Sequence, residues 1–189
     1  VKADVGLTVV KLGGSHATSP LLGGWLRALR PGVVVVPGGG PFADTVRAAQ
    51  PSMGFSDAAA HDMALMGMAQ YGRALADLGG WIYADDIDTL RDAVADRQVP
   101  VWSPWPMLRS HPDIAQNWAV TSDSLAAWLA IRLGAARLVL IKQRCAPAGD
   151  TPLAWARAGL VDGAFPDFIV GFHGEVTIKG PEDLPARVG

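Results

Sequence analysis

Short apolar runs alternate along this chain with longer amphipathic stretches, and that alternation sets the first expectations. Leu7–Leu12, Val33–Val36, Val99–Trp102 and Arg137–Ile141 are brief and rich in branched residues, so they read as buried strands. Trp81–Tyr83 and Glu175–Ile178 read as further strands. Between them the spacing predicts helices over 20–29, with Ser19 as N-cap and Pro20 in the first turn, and over 42–49, closed by Pro51. A long helix is predicted from Ser56-Asp57 to Leu78, ended by Gly79-Gly80, followed by helices over 87–95 and 121–133. Pro100 predicts an irregular start or an edge position for its strand. Residues 103–118 read as a loop, 153–158 and 164–169 as short helices, and 146–150 as an internal hinge. Strands alternating with helices predict an α/β fold, a three-layer α/β/α sandwich with a mainly parallel sheet. The expected organisation is one domain over 1–189.

Two of the strand ends run directly into glycine, which brings in chemistry. The first junction is Val10-Lys11-Leu12-Gly13-Gly14-Ser15 and the second is Val36-Pro37-Gly38-Gly39-Gly40. Glycines after a strand leave the backbone bare, so its amides can approach phosphate oxygens, and Lys11 adds a point charge. A helix starting near Phe42 would aim its positive end at the same crevice. The alternatives are an edge lysine followed by an ordinary turn, and a flexible glycine loop. Because the lysine precedes its glycines, the first junction is not a Walker A loop. Neither junction has the G-x-G-x-x-G spacing of a dinucleotide site, which argues against a nicotinamide enzyme.

A third polar cluster, Asn117-Trp118-Ala119-Val120-Thr121-Ser122-Asp123-Ser124, stands at a predicted helix start. Asp123 reads either as an N-terminal helix stabiliser or as a carboxylate holding lysine ammonium groups in a phosphate site.

Composition narrows the partners. Half of the 189 residues are apolar, 18% are charged, and the net charge is -2, so there is no basic footprint for nucleic acid. A single cysteine, Cys145, forms no internal disulfide and fits a reducing cytoplasm. No apolar run is long enough to span a bilayer, and the N-terminus lacks the pattern of a secretory leader. The four histidines have no zinc spacing, and no metal ligand set is expected. His61 and His16 lie near the motifs, as acceptor or phosphate contacts or as partly buried histidines. Met63, Met66 and Met68 read as core filler. Trp102, Trp105 and Trp118 read as packing or interface residues, or as a stacking surface for a flat ring.

The order of these motifs resembles the amino acid kinase superfamily, which includes acetylglutamate kinase, aspartokinase and uridylate kinase. The segments Ala60-His61-Asp62-Met63-Ala64, Gln70-Tyr71-Gly72, Trp118–Ala126 and Leu160-Val161-Asp162-Gly163-Ala164-Phe165-Pro166 resemble the small kinases of methanofuran-type cofactor biosynthesis. The resemblance implies ATP-dependent phosphoryl transfer, with Mg2+, to a small phosphorylated acceptor by a homo-oligomer, with a phosphate- and acceptor-binding half at 1–145 and a reduced nucleotide half at 146–189. It implies that Lys11 neutralises the transferring group and that Asp123 organises the lysines. It implies that Gly13, Gly14 and Ser15 hold the ATP phosphates with Lys142. Gly38, Gly39, Gly40, His61, Asn117, Thr121 and Ser122 would then face the acceptor. The chain departs from the superfamily after Ile141: Lys142-Gln143-Arg144-Cys145 replaces an aspartate-rich turn, the following half is short, and a second lysine from that half has no clear counterpart. Those departures keep open a non-catalytic anion-binding or assembly subunit.

Overall fold

The computed structural model describes residues 6–147 and 149–184. The N-terminal five residues, where a leader was judged absent, and Ala148 within the expected hinge lie outside the described residues. Among the described residues six strands form one sheet in the order β3-β4-β2-β1-β5-β6. They are β1 Thr8–Leu12, β2 Val33–Pro37, β3 Ile82–Ala84, β4 Pro100–Trp102, β5 Arg137–Ile141 and β6 Glu175–Lys179. Every pairing is parallel. The helices are α1 Leu22–Ala28, α2 Gly40–Met53, α3 Asp57–Gly79, α4 Ile87–Ala95, α5 Trp105–Leu108, α6 Ser122–Leu133, α7 Pro152–Arg157 and α8 Phe165–Phe168.

Strand alternation divides the core in two. Val9, Val34, Val36, Leu138 and Leu140 pack on one face with Leu90 of α4 and Leu125 and Leu129 of α6. Val10, Leu12, Val35, Val101 and Ile141 pack on the other with Trp25 of α1 and Tyr71 and Leu75 of α3. Both faces of the central strands are covered, which is why they read as continuous apolar runs rather than alternating ones.

Several local expectations change. A 3-10 turn over Gly14–Thr18 precedes α1, which begins at Leu22 instead of Pro20. The Ser19 hydroxyl accepts from Leu21 N at 3.2 Å and holds a turn rather than capping the helix. Helix α2 starts at Gly40 and runs through Pro51 to Met53, ending at left-handed Gly54. Pro51 sits in its last turn, where one missing N–H is tolerated and Gly54 N closes onto Gln50 O at 2.8 Å. Strand β4 lies between β3 and β2, so Pro100 marks a strand start and not an edge. The loop 103–118 contains α5. Met68 is buried in the core as expected, but Met66 is exposed.

Candidate active site

The two glycine junctions meet at the carboxyl edge of adjacent strands, where a parallel sheet opens its crevice. Gly38 N donates to Leu12 O at 2.9 Å, and Gly13 N to Ile141 O at 3.2 Å. The backbones then pass so closely that side chains have no room. A Cβ on Gly14 would lie 2.2 Å from Gly40 N, and one on Gly38 would lie 2.2 Å from Gly14 N. Gly40, at φ 55°, turns the chain into α2.

Strand parity then brings the charges together. Lys11 pairs with Leu140, so it shares a face with Val9, Leu138 and Leu140, and the same alternation carries Lys142 to that face. Helix α6 covers this face and starts with Ser122-Asp123. Lys11 Nζ lies 2.9 Å from Asp123 Oδ1, and Lys142 Nζ donates to Asp123 Oδ2 at 2.6 Å. The Lys11 contact is an ion pair that lacks hydrogen-bond alignment, leaving Oδ1 without a directed donor. The side chains of Lys11, Asp123 and Lys142 are 6%, 5% and 16% exposed. Burial pushes the Asp123 carboxyl up, but Lys11 and Lys142 outweigh it and hold the group below its ordinary range. Burial lowers Lys142 to about 8, Lys11 pushes the same way, and Asp123 opposes both. With both lysines charged, the cluster carries one surplus positive charge in a desolvated setting, which favours an anion.

The start of α6 is braced from a distance by Asp162, a residue to which sequence reasoning assigned no role. Its Oδ2 accepts from Thr121 N at 3.0 Å, Thr121 Oγ1 at 2.7 Å and Ser124 N at 3.1 Å, and Oδ1 accepts from Ser124 Oγ. Asp162 N donates back to Asp123 Oδ2 at 3.3 Å. A carboxylate on the first amides of a helix caps it and opposes its positive end. The cap comes from a residue 41 positions from Thr121, so no local capping pattern announces it. Asp123 is therefore not the cap of α6, and Thr121 is committed to Asp162.

Beside this cluster lies a cavity of about 240 Å³ between α2, α3 and the start of α6. Gly14, Ser15, Gly39, Gly40, His61, Thr121 and Ser122 line it, as do Leu65, Met68, Val120 and Leu125. Gly13, Gly38 and Asn117 do not: Gly38 packs on Gly14, and Asn117 Oδ1 accepts from Ala119 N at 2.9 Å. Lys11, Asp123 and Lys142 also stay outside the lining, although Asp123 directly follows Ser122. At the mouth Trp118 donates to Gln50 Oε1 at 2.7 Å, and the Arg47 guanidinium sits 4.3 Å from the Trp118 ring centroid. Trp118 is thus a half-buried aromatic wall on one side of the cavity. Trp102 is fully buried and stacks on Trp128 at 6.0 Å, a packing role. His16 is fully buried beside Trp25, and burial lowers its pKa. It meets the segment after β5, where Gln143 Nε2 lies 3.4 Å from His16 Nδ1 and donates to Ser15 O at 3.1 Å.

An all-parallel sheet with two interlocked glycine bends, and a carboxylate shared by two lysines at its carboxyl edge, defines an α/β protein with a buried, positively charged site. The chain belongs to the amino acid kinase family, whose model matches residues 6–143. It is 29% identical over 126 residues to [5-(aminomethyl)furan-3-yl]methyl phosphate kinase of Methanocaldococcus jannaschii, covering 64% of this chain and 58% of that protein. The chain thus spans well under two thirds of that relative's length. Its fold is similar to the crystal structure of uridylate kinase from Archaeoglobus fulgidus, with TM-score 0.66, 18% identity, and 93% and 92% of the two chains covered. It is also similar to UMP kinase from Ureaplasma parvum, with TM-score 0.69, 13% identity, and 95% and 91% covered.

Proposed function

We propose that this chain is an ATP-dependent phosphotransferase acting on a small phosphate ester of the aminomethylfuran-methyl phosphate type, in cofactor (methanofuran-type) biosynthesis. The observation that carries this reading is Asp123 held between Lys11 and Lys142 beside the two glycine bends. An oxygen of the acceptor phosphate attacks the γ-phosphorus of ATP, the bond to the β-bridging oxygen breaks, and ADP leaves. The acceptor is already an anionic nucleophile, so no general base is needed. Lys11 and Lys142 meet charge developing on the transferring group, and Asp123 fixes both ammonium groups, so little reorganisation is needed as charge moves. Backbone amides of Gly14 and Ser15 hold the nucleotide phosphates and those of Gly39 and Gly40 the acceptor phosphate, whereas the Gly13 and Gly38 amides are spent on Ile141 O and Leu12 O and only shape the bends. Among the described residues no group of three or more acidic, histidine or cysteine side chains could hold a metal. Mg2+ bound with ATP would supply neutralisation of phosphate charge beside Lys11 and Lys142. The chain works as one domain, in the cytoplasm and as a homo-oligomer. Exposed Phe42, Met53, Met66 and Leu78 on α2 and α3 support a covered apolar face.

Turnover of the acceptor with ATP and Mg2+, followed by phosphorus NMR for a new diphosphate, tests the reading. Lys11→Ala should lower kcat on the order of 10²-fold or more, the usual loss when a transition-state charge partner is removed. Unchanged turnover would take Lys11 out of the mechanism.

One observation favours a second reading, an anion-binding subunit that has given up ATP. After β5 the Cys145 thiol donates to Glu182 Oε2 at 3.1 Å and Asp183 Oδ2 at 3.3 Å, tying this turn to the chain's own carboxylates. Calorimetry separates the two: heat with phosphate but none with ATP and Mg2+ selects the subunit.

A further inference from the structure

His61 is shared by two cavities. The larger is the site described above. The smaller, about 70 Å³, is lined by His61, Asp62, Leu65, Arg109, Ser110 and Gln116. His61 and Leu65 line both, so they form the partition between them. The smaller space exceeds the ~30 Å³ that one water occupies in the liquid, and it has room for an aminomethyl end.

The partition carries an unmet hydrogen-bonding group. His61 is 5% exposed and its Nε2 has no partner. Buried polar atoms are nearly always paired, so an orphan beside a cavity calls for a ligand. Burial lowers the pKa of His61, and the Asn117 backbone carbonyl faces the ring. A neutral imidazole has one N–H. With that N–H on the nitrogen facing the Asn117 carbonyl, the partnerless Nε2 keeps a lone pair. A lone pair attracts a donor and repels phosphate oxygens. Behind it, Asp62 Oδ1 accepts from Trp105 Nε1 at 2.9 Å, and among the described residues Asp62 makes no ion pair. Arg109 also faces the smaller cavity, but its guanidinium lies 4.9 Å from the Trp105 ring centroid and does not pair with Asp62. Near the partition the unsatisfied capacity is therefore for accepting hydrogen bonds, at His61 Nε2 and at the Asp62 carboxylate, while the Arg109 charge is turned onto Trp105.

We propose that His61 is a specificity residue for a primary ammonium on the acceptor, with Nε2 accepting from it and Asp62 supplying charge across the partition. The acceptor then lies with its phosphate at the glycine bends, its flat ring between Leu65, Met68, Val120 and Leu125, and its ammonium at His61. This rests on the acceptor reading given under Proposed function.

The test uses three phosphate esters of a furan methanol, carrying –CH2NH3+, –CH2OH or –CH3 on the ring. Their binding to the full chain is measured by calorimetry without nucleotide, then their turnover with ATP and Mg2+. The ammonium ester should bind ~10–100-fold more tightly than the methyl ester, the range of one buried hydrogen bond to a charged group. In His61→Leu that gap should close while the methyl ester keeps its affinity, and His61→Gln, which retains an acceptor oxygen, should restore part of it. Equal affinities in the unaltered chain overturn the proposal, with no variant needed. So does a gap that survives His61→Leu, or an equal loss for all three esters in that variant, which would assign the imidazole to the phosphate. The gap without turnover sinks the kinase reading and leaves this one standing. No binding by any ester sinks the acceptor reading, and this inference with it.

Discussion

The charged cluster and the cavity beside it are built in opposite ways. At the cluster every position is over-determined: Lys11 sits inside a strand buried on both faces, Asp123 in a helix start braced by Asp162, and the glycine bends interlock without side chains. The cavity is walled by side chains from helices, with Arg47 and Trp118 half in solvent at its mouth and His61 unpaired. The contrast teaches a division of labour. Groups that meet developing charge must be preorganised, whereas groups that choose among acceptors need only line a space.

Substitutions at the cluster should do the most damage. Asp123→Asn leaves two buried ammonium groups facing each other without a countercharge, so a loss of about 3–5 kcal/mol in unfolding free energy is expected. Denaturant melts at pH 7 check this. A loss below about 1 kcal/mol would show that the cluster is wetter than its geometry implies. The sequence, with one charge removed at a helix start, leads to the opposite expectation of a nearly intact fold. Gly14→Ala comes next, because its Cβ would meet the Gly40 backbone, which cannot rotate away as a side chain can. The strain is expected to cost about 1–3 kcal/mol or more. Phosphate binding by calorimetry should vanish, since the two bends must separate. Retention of that binding would detach the interlock from the site.

A pH series reads the same cluster more gently. Lys142 holds its proton below about 8 in the folded chain, against an ordinary 10.5. As pH rises through about 8 the cluster passes from one surplus positive charge to none. Phosphate affinity should fall above that point by roughly tenfold, as for loss of one charge-assisted contact, and Lys142→Met should remove this limb. The stability effect has the other sign. Between about 8 and 10.5 the unfolded chain binds the additional proton, so this lysine's contribution favours the fold increasingly as pH rises. At the cavity mouth, Trp118→Leu should raise the KM of a flat acceptor about three- to tenfold with kcat unchanged, reflecting ~0.5–1.5 kcal/mol of ring contact. A matched fall in kcat would place Trp118 with the cluster instead of the wall.

Most strands and the long helix were readable because burial on both sheet faces and an uninterrupted amphipathic stretch are local signals. Ser56 before α3 and the glycine after it are local too. The errors fell where a neighbour decides. Pro51 looks like a stop until the last turn of α2 is seen to close on Gly54. Pro100 reads as either a strand start or an edge, and β3 pairing outside β4 selects the start. In the site, Lys11 and Asp123 stood out by type and place. Asp162 did not, because a cap supplied from another part of the chain leaves no spacing to read. Asn117 and Gly38 belonged to the right segments, but their own groups turn to Ala119 and Gly14.

By itself the chain of residue types determined where backbone could come bare to an anion and which parity each lysine would take along its strand, since alternation is a property of the strand alone. It could not determine that β5 would lie beside β1 in the register that sets Lys142 one step past Ile141 and next to Asp123. Strand order is chosen by which apolar faces pack best across the whole sheet, a sum over distant contacts. Only the assembled fold makes one carboxylate serve two lysines.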